Sequence, residues 1–501
     1  MKFCNLLFLF ASVSVASAAI ELPSFFSDGM ILQQQGQAKI WGWVDGKREV
    51  TVSFAGRTES AKTNEEGRWE VSFEGLEASS QGRELTITDG EDRTVIKDVL
   101  VGEVWIASGQ SNMEWTVAKS KNAEKEVAVS EDSLLRVYLT SNVAQAEPQV
   151  DFFGDWTAAS PAETGKMTAV GYYYARKLRK ELGVPVGIIE CAWGGKPIEA
   201  FTSEEALAKL PEAQVVLKKK TQAVANWDEE KVKADHQARL AKWKEKGGKG
   251  RSPQALLHPL VRPSLHSTIF NGMIAPITGY GARGVIWYQG ESNANGDTAK
   301  AYEELLGCLV SDWRERWGSN LSFYYVQLAN YRKVTAKPGA KSDWIIVQDE
   351  MRRALDSIEH SGMAVANDIG AANNIHPKNK QDVGSRLARW ALGRDYGRED
   401  VVMSGPLFQK AVEKDGKMII SFEHNGGLKT RNGGPLKRFE IKAEDGTWIW
   451  AEAQIEEGKV IVWSDKVKDP AAVRYAWAEN PEGANLVNGE NLPASCFTTE
   501  N

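Results

Sequence analysis

The stretch VLVGEVWIASGQSNM, residues 99–113, passes from an unbroken apolar run into small and polar residues within a few positions. Such a run, bounded by turn residues, is the pattern of a strand buried on both faces. Residues 20–100 upstream read differently. AKIWGWV, EVTVSFAG, RWEVSFEG and ELTITDG are separated by Gly, Asp and Asn and are rich in β-branched and aromatic residues, which predicts a small β-sandwich. Downstream, GYYYARKLRKEL (171–182) has helical spacing, and VGIIECAWGG (186–195) and GVIWYQG (284–290) are again buried-strand runs. Strands that alternate with helices predict a parallel sheet flanked by helices.

The 501 residues are 42% hydrophobic with a formal net charge of −6. That is enough for two or three domains with a sizeable core, and it lacks the basic stripe of a nucleic-acid binder. No C-x-x-C, no H-E-x-x-H and no GK followed by Ser or Thr occurs, and there are six histidines in all. Neither a metal nor another cofactor is expected. Residues 1–18 read as a secretory signal: Lys2, the apolar run LLFLFASVSV, and Ala16-Ser17-Ala18 before cleavage. No later stretch is apolar for long enough to span a bilayer. The expected product is exported to the periplasm or beyond, with no membrane partner. Once Cys4 leaves with the leader, Cys191, Cys308 and Cys496 remain, too few for a disulfide framework.

The predicted organisation is therefore a leader over 1–18, a β-sandwich over 19–100, an α/β domain over 101–400 and a second β region over 401–501. The last rests on MIISFEH, LKRFEIKA, TWIWAEAQIE, KVIVWS and AVRYAWAE. Residues 203–255 interrupt the α/β rhythm with a charged, helix-prone insertion whose interspersed acids argue against a basic binding arm.

Four islands carry candidate chemistry, and three follow apolar strands, where sites assemble in open α/β sheets. WIASGQSNM resembles the G-x-S-x-G elbow of α/β-hydrolases, with Met113 in place of the final glycine. A serine entering a helix there would expose its hydroxyl near the positive end of the helix dipole; the ordinary alternative is a capping serine. ECAWGGKPIEAF has paired glycines, Gly194 and Gly195, that let backbone approach a ligand. WYQGESNANG sets Gln289, Glu291 and Asn293 after a strand, and Asn293 has an amide suited to an oxyanion; the alternative is a loop satisfied by its own backbone. In NDIGAANNIHPKNKQDVGSRLARWAL, His376 precedes a proline and a helix with Val383, Leu387 and Trp390 or Ala391 on one face. A histidine at such a junction suits a general base.

In this order, SGQSNM, WGG, WYQGESN and IHPKNK resemble the sialate O-acetylesterase family of the SGNH hydrolases. The likeness spans roughly 100–400 and extends to LPSFFSDGMILQQQ, FNGMIAPI and YAWAENPEGANL…LPAS. It implies a flavodoxin-like three-layer α/β/α catalytic domain with flanking β-sandwich-like regions, no metal, and hydrolysis of O-acetyl groups on sugars. By position, it implies Ser111 as nucleophile and His376 as base. The oxyanion would be held by the N–H of Ser111, by Gly194 or Gly195, and by Asn293, with Gln110, Gln289, Glu291 and Asn373 in support.

One position departs from the SGNH pattern. Asn373 stands three residues before His376, where an aspartate usually orients the ring. Asparagine there lowers turnover by about 10⁴ in a serine protease triad. Asp368 reaching the ring, a Ser-His dyad completed by a backbone carbonyl, or a weak enzyme are the remaining options. The expected activity is that of a secreted serine esterase for acetylated carbohydrate, sialic acid or a plant polysaccharide such as xylan. The contrary class is a non-catalytic carbohydrate-binding protein on an esterase scaffold. The sequence is silent on oligomeric state.

Overall fold

The central element is a strand of 17 residues, Arg93–Gly109, every residue of which is buried from Val99 onward. A computed structural model describes residues 20–500; the leader read over 1–18 lies outside the described residues. In its second half the strand pairs in parallel with Val186–Ala192 on one side and Gly284–Tyr288 on the other. Ser322–Val326 and Ser361–Ala364 extend the sheet beyond Gly284–Tyr288, also in parallel. Counting these five strands in chain order, the spatial order is 2-1-3-4-5, the flavodoxin-like arrangement. A hairpin, Asp132–Thr140 and Gly154–Ala159, is added outside Val186–Ala192, and its outer strand runs antiparallel.

Alternating side chains tie the sheet to two helix layers. On Ser322–Val326, the hydroxyl of Tyr324 donates to Asp395, at the end of the helix Lys380–Arg394, at 2.7 Å. That of Tyr325 donates to the carbonyl of Met351, in the helix Asp343–Ser357, at 2.8 Å. Trp105 packs edge-on to Tyr174 of the helix Ala169–Leu182, while Trp287 meets Trp313 of the helix Tyr302–Trp317. Val383, Leu387, Trp390 and Ala391 are all buried, as their spacing predicts. The result is the three-layer α/β/α sandwich.

The β-sandwich ahead of it is joined through the same strand. Arg93–Gly109 pairs antiparallel with Ser79–Thr88 over its first half, so the boundary expected near residue 100 falls inside a continuous strand. At that junction the Glu103 carboxylate is wholly buried, yet it accepts hydrogen bonds from Gln33, Gln34 and Arg283. After residue 400, two antiparallel four-stranded sheets enclose a separate core containing Ile420, Phe439, Val460, Val473 and Phe497. The insertion is helical, as expected, and its longest helix, Glu229–Glu245, buries none of its side chains. Among the described residues no helix is long and apolar enough to cross a membrane, and Cys191, Cys308 and Cys496 are free thiols.

The carboxyl end of the central strand is clamped on both sides. The carbonyl of Gly109 accepts from Trp193 N–H and Gln110 N–H donates to the Tyr288 carbonyl, each at 2.9 Å. Gly109 has φ +134°, and a Cβ there would lie 2.2 Å from the oxygen of Tyr288. Only glycine turns the chain in this space. Gly109→Ala is expected to lower unfolding free energy by about 2 kcal/mol or more, read as a lower denaturant midpoint at unchanged slope. An unchanged midpoint would show that the turn relaxes freely.

Candidate active site

Ser111 is the first residue of the one-turn helix Ser111–Glu114, two positions past the end of the central strand. Its Oγ lies 2.8 Å from Nε2 of His376, although 265 residues separate the two in sequence. The hydroxyl therefore faces a ring nitrogen and does not cap the helix. With the imidazole proton on Nδ1, Nε2 accepts from the serine hydroxyl, the arrangement a general base needs. Burial first, then the positive charges of Lys380 and Lys119, hold the His376 pKa below the ordinary histidine value. The ring is thus neutral and able to accept a proton at neutral pH.

The residues flanking Ser111 anchor it to three loops. Gln110 Oε1 accepts from Ser292 N–H at 3.1 Å and from Gln289 Nε2 at 3.2 Å. Buried Asn112 donates from Nδ2 to Glu291 Oε1 at 2.5 Å and to the carbonyl of Ile375 at 3.0 Å, and its Oδ1 accepts from Lys380 Nζ. Ile375, the residue before His376, is in this way tied to the residue after Ser111. His376 N–H donates to Asn374 Oδ1 at 2.9 Å, which fixes the turn carrying the ring.

The two glycines differ in what their N–H groups meet. Gly194 sits against Ser111: a Cβ there would lie 3.1 Å from Ser111 Cβ and 2.8 Å from a carboxylate oxygen of Glu114. Its N–H donates to that carboxylate at 2.9 Å. Exposed Gly195 and half-buried Ser111 have backbone N–H groups with no acceptor among the described residues. The first N–H groups of a helix are left free in this way and suit an incoming negative charge.

Two expected roles meet a different arrangement. Asn293 is buried: Nδ2 donates to Glu199 at 2.9 Å, and Oδ1 accepts from Ile198 N–H at 3.0 Å and Gln289 Nε2 at 2.7 Å. These bonds brace the loop and engage one of the two amide N–H groups that the oxyanion role would draw on. Asp368 does not reach His376. Its oxygens accept from Arg386 at 2.6 and 3.0 Å and from Arg431 at 2.7 Å. Burial works against its charge, but the hydrogen bonds and charges of those arginines prevail and hold the carboxyl below the usual aspartate range. Asp368 is a structural anion joining the α/β layer to the C-terminal β region. Asn373 is exposed, and Nδ1 of His376 has no hydrogen-bond partner among the described residues. The ring is covered on its face, where Trp115 stacks at 5.1 Å and 17°.

Asn112, Glu114 and Lys380 are site residues that the motif reading passes over. Lys380 had a visible signal: it shares the helical stripe of Val383 and Leu387, a lysine on the core face. Among the described residues, no group of three or more His, Cys, Asp or Glu side chains could hold a metal ion.

Comparison with known proteins identifies the family. A family model described as "Carbohydrate esterase, sialic acid-specific acetylesterase" matches residues 101–246 and 258–392, more than half the chain. The chain is 26% identical to the sialate O-acetylesterase of Rattus norvegicus, covering 98% of this chain and 97% of that one. It is 25% identical to that of Homo sapiens over 93% and 89%. A crystal structure of a carbohydrate acetylesterase from Xanthomonas citri superposes with a TM-score of 0.82 at 34% identity, covering 96% of this chain and all of that one. Fold and site thus define a carbohydrate esterase, a carboxylic ester hydrolase. Within that class, the chain belongs to the sialic acid-specific acetylesterase family.

The buried amine under Asn112 has a measurable consequence. Burial pushes Lys380 from 10.5 down to about 7, with the charge of Glu291 opposing the shift. Between about 7 and 10 the unfolded chain binds more protons at this site than the folded one, so this group's contribution to stability rises with pH across that window. In Lys380→Met, the change in unfolding free energy from pH 7 to 10 is expected to lack that rising component. Parallel wild-type and variant curves would show an ordinary lysine.

Proposed function

We propose that this chain hydrolyses O-acetyl groups on sugars through an acetyl-serine intermediate, with O-acetylated sialic acid as the substrate class. The observation that carries the reading is the 2.8 Å approach of His376 Nε2 to Ser111 Oγ. Oγ attacks the acetyl carbonyl as its proton passes to Nε2, and the carbonyl π electrons move onto oxygen. Collapse of the tetrahedral adduct breaks the bond to the sugar oxygen, which takes the proton back from the imidazolium. Water then attacks the acetyl-serine with His376 again as base, releasing acetate and restoring Oγ–H.

The N–H of Ser111 is assigned to the oxyanion, with the N–H of Gly195 as the second donor. Gly194 forms the wall that no side chain could share with Ser111, and its N–H holds Glu114. Among the described residues no carboxylate bonds the ring, so the pair is assigned as a dyad. The leader pattern of residues 1–18 supports export of the mature chain, tested by cell fractionation.

Relatives named for sialate esters favour that sugar, whereas the Xanthomonas citri enzyme is named only for carbohydrate. Acetylated plant polysaccharide is therefore the second reading. Acetate release from a panel of O-acetyl sialic acids and acetylated xylan separates them: sialate turnover with inert xylan supports the first, and the reverse overturns it. The non-catalytic alternative is opposed by the family assignment and the intact Ser-His contact.

Ser111→Ala and His376→Ala are each expected to lower kcat on 4-nitrophenyl acetate by about 10³-fold or more, with folding retained. Near-normal turnover in a folded Ser111→Ala variant would remove the mechanism. The acid limb of kcat/KM should fall at an apparent pKa below the ordinary histidine value, because His376 must be neutral. Asp368→Asn is expected to lower thermal stability while kcat stays within about threefold; a folded variant with a far larger loss would return Asp368 to the site.

A further inference from the structure

The imidazole of His376 is the base of the proposed reaction, yet among the described residues nothing accepts from its Nδ1, and Asp368, one candidate for that place, is held by two arginines. What touches the ring instead is the indole of Trp115, nearly parallel to it at 5.1 Å. Trp115 Nε1 is itself buried without an acceptor. A buried N–H left unpaired is unfavourable, so it is the ring face, and not the indole N–H, that keeps Trp115 in place. The ring also lies within reach of two cations, Lys119 Nζ at 5.7 Å and Lys380 Nζ at 5.9 Å. Backbone geometry fixes the arrangement from the other side: Trp115 follows the nucleophile helix directly, and its carbonyl accepts from Ala169 N–H at 2.7 Å.

We propose that Trp115 is the positioning residue of His376, its indole face holding the ring plane toward Ser111 and stabilising the imidazolium that forms when the serine proton is taken up. A carboxylate does both in a triad. Here stacking supplies the orientation, and the negative face of the indole supplies the charge complement. The need for the second is visible in the surroundings. The charges that bear on His376 are both positive, Lys380 from the helix behind it and Lys119 from the turn beside Trp115. Glu291 accepts from Asn112 through Oε1, and Glu114 accepts from Gly194 and Asn142. Among the described residues no carboxylate bonds the ring of His376, so its imidazolium would form beside Lys119 and Lys380 without a directly paired anion.

This inference rests on the Ser-His reading, and the test keeps the two apart. 4-Nitrophenyl acetate carries no sugar, so a tryptophan acting only as a sugar platform would not affect its hydrolysis. Trp115→Leu is expected to lower kcat on this ester about tenfold or more with KM within about twofold, and Trp115→Phe to recover most of the loss. The acid limb of kcat/KM should move to lower pH in Trp115→Leu, because the charged ring loses its stabilising face. The upfield ring-current shift of the His376 Cε1 and Cδ2 protons should vanish in the same variant. If Trp115→Leu is too unstable to assay, Trp115→Phe alone should show a smaller shift of the limb in the same direction. An unchanged kcat and pH profile, or an acid limb that moves upward as if only burial had been relieved, would overturn the role of Trp115. A folded Ser111→Ala variant with normal turnover would instead overturn the underlying mechanism.

Discussion

The strand Arg93–Gly109 is the constraint on which both the architecture and the site depend. Its first half belongs to the β-sandwich and its second half to the parallel sheet, so the two share one stretch of backbone. Glu103 shows what that continuity requires: a carboxylate buried where the sandwich and the parallel sheet share one core is tolerable only because Gln33, Gln34 and Arg283 satisfy it. The strand ends where the sheet order reverses, between Val186–Ala192 and Gly284–Tyr288, and the neighbours on either side grip Gly109 and Gln110. Ser111 is delivered into the crevice by that grip. Its hydroxyl is presented by rigid backbone and not by a mobile loop.

Around this delivered serine the chain builds an inner scaffold of amides. Asn112 joins the Ser111 turn to the His376 loop, Gln110 and Gln289 join it to the loop that follows Gly284–Tyr288, and Asn293 closes the network against Glu199. Amides suit this work because each offers donors and an acceptor in fixed directions. Burial raises the pKa of both Glu199 and Glu291, with hydrogen bonds from Asn293 and Asn112 respectively opposing it. The acids are thereby kept as bracing groups.

Much of the fold is readable in the sequence because its period survives burial. The sandwich strands alternate, the central run is apolar throughout, and the helix Lys380–Arg394 keeps its stripe. The strands Ser322–Val326 and Ser361–Ala364 are harder to find: each is short, and SGMA has no β-branched residue at all. The site divides in the same manner. Ser111 and His376 stand in motifs and meet as expected. The engagement of the Asn293 amide by Glu199 and the capture of Asp368 by Arg386 and Arg431 depend on side chains brought from distant segments, which no local pattern records. Asn293 and Asp368 have the right chemistry for the expected roles, and only tertiary partners decide whether they fill them.

The separation of 265 residues between Ser111 and His376 has a consequence for how the enzyme comes into being. Contacts this distant carry a loop-closure cost, and folds rich in them fold slowly. The Ser111 turn is complete only with Gly284–Tyr288 docked so that Tyr288 receives Gln110, and with the helix bearing Lys380 in place to engage Asn112. A chain with these elements undocked would lack the Ser111–His376 contact however much of the sandwich it held. With Ser111 and His376 in the roles proposed above, recovery of catalysis on refolding would report on completion of the whole α/β layer.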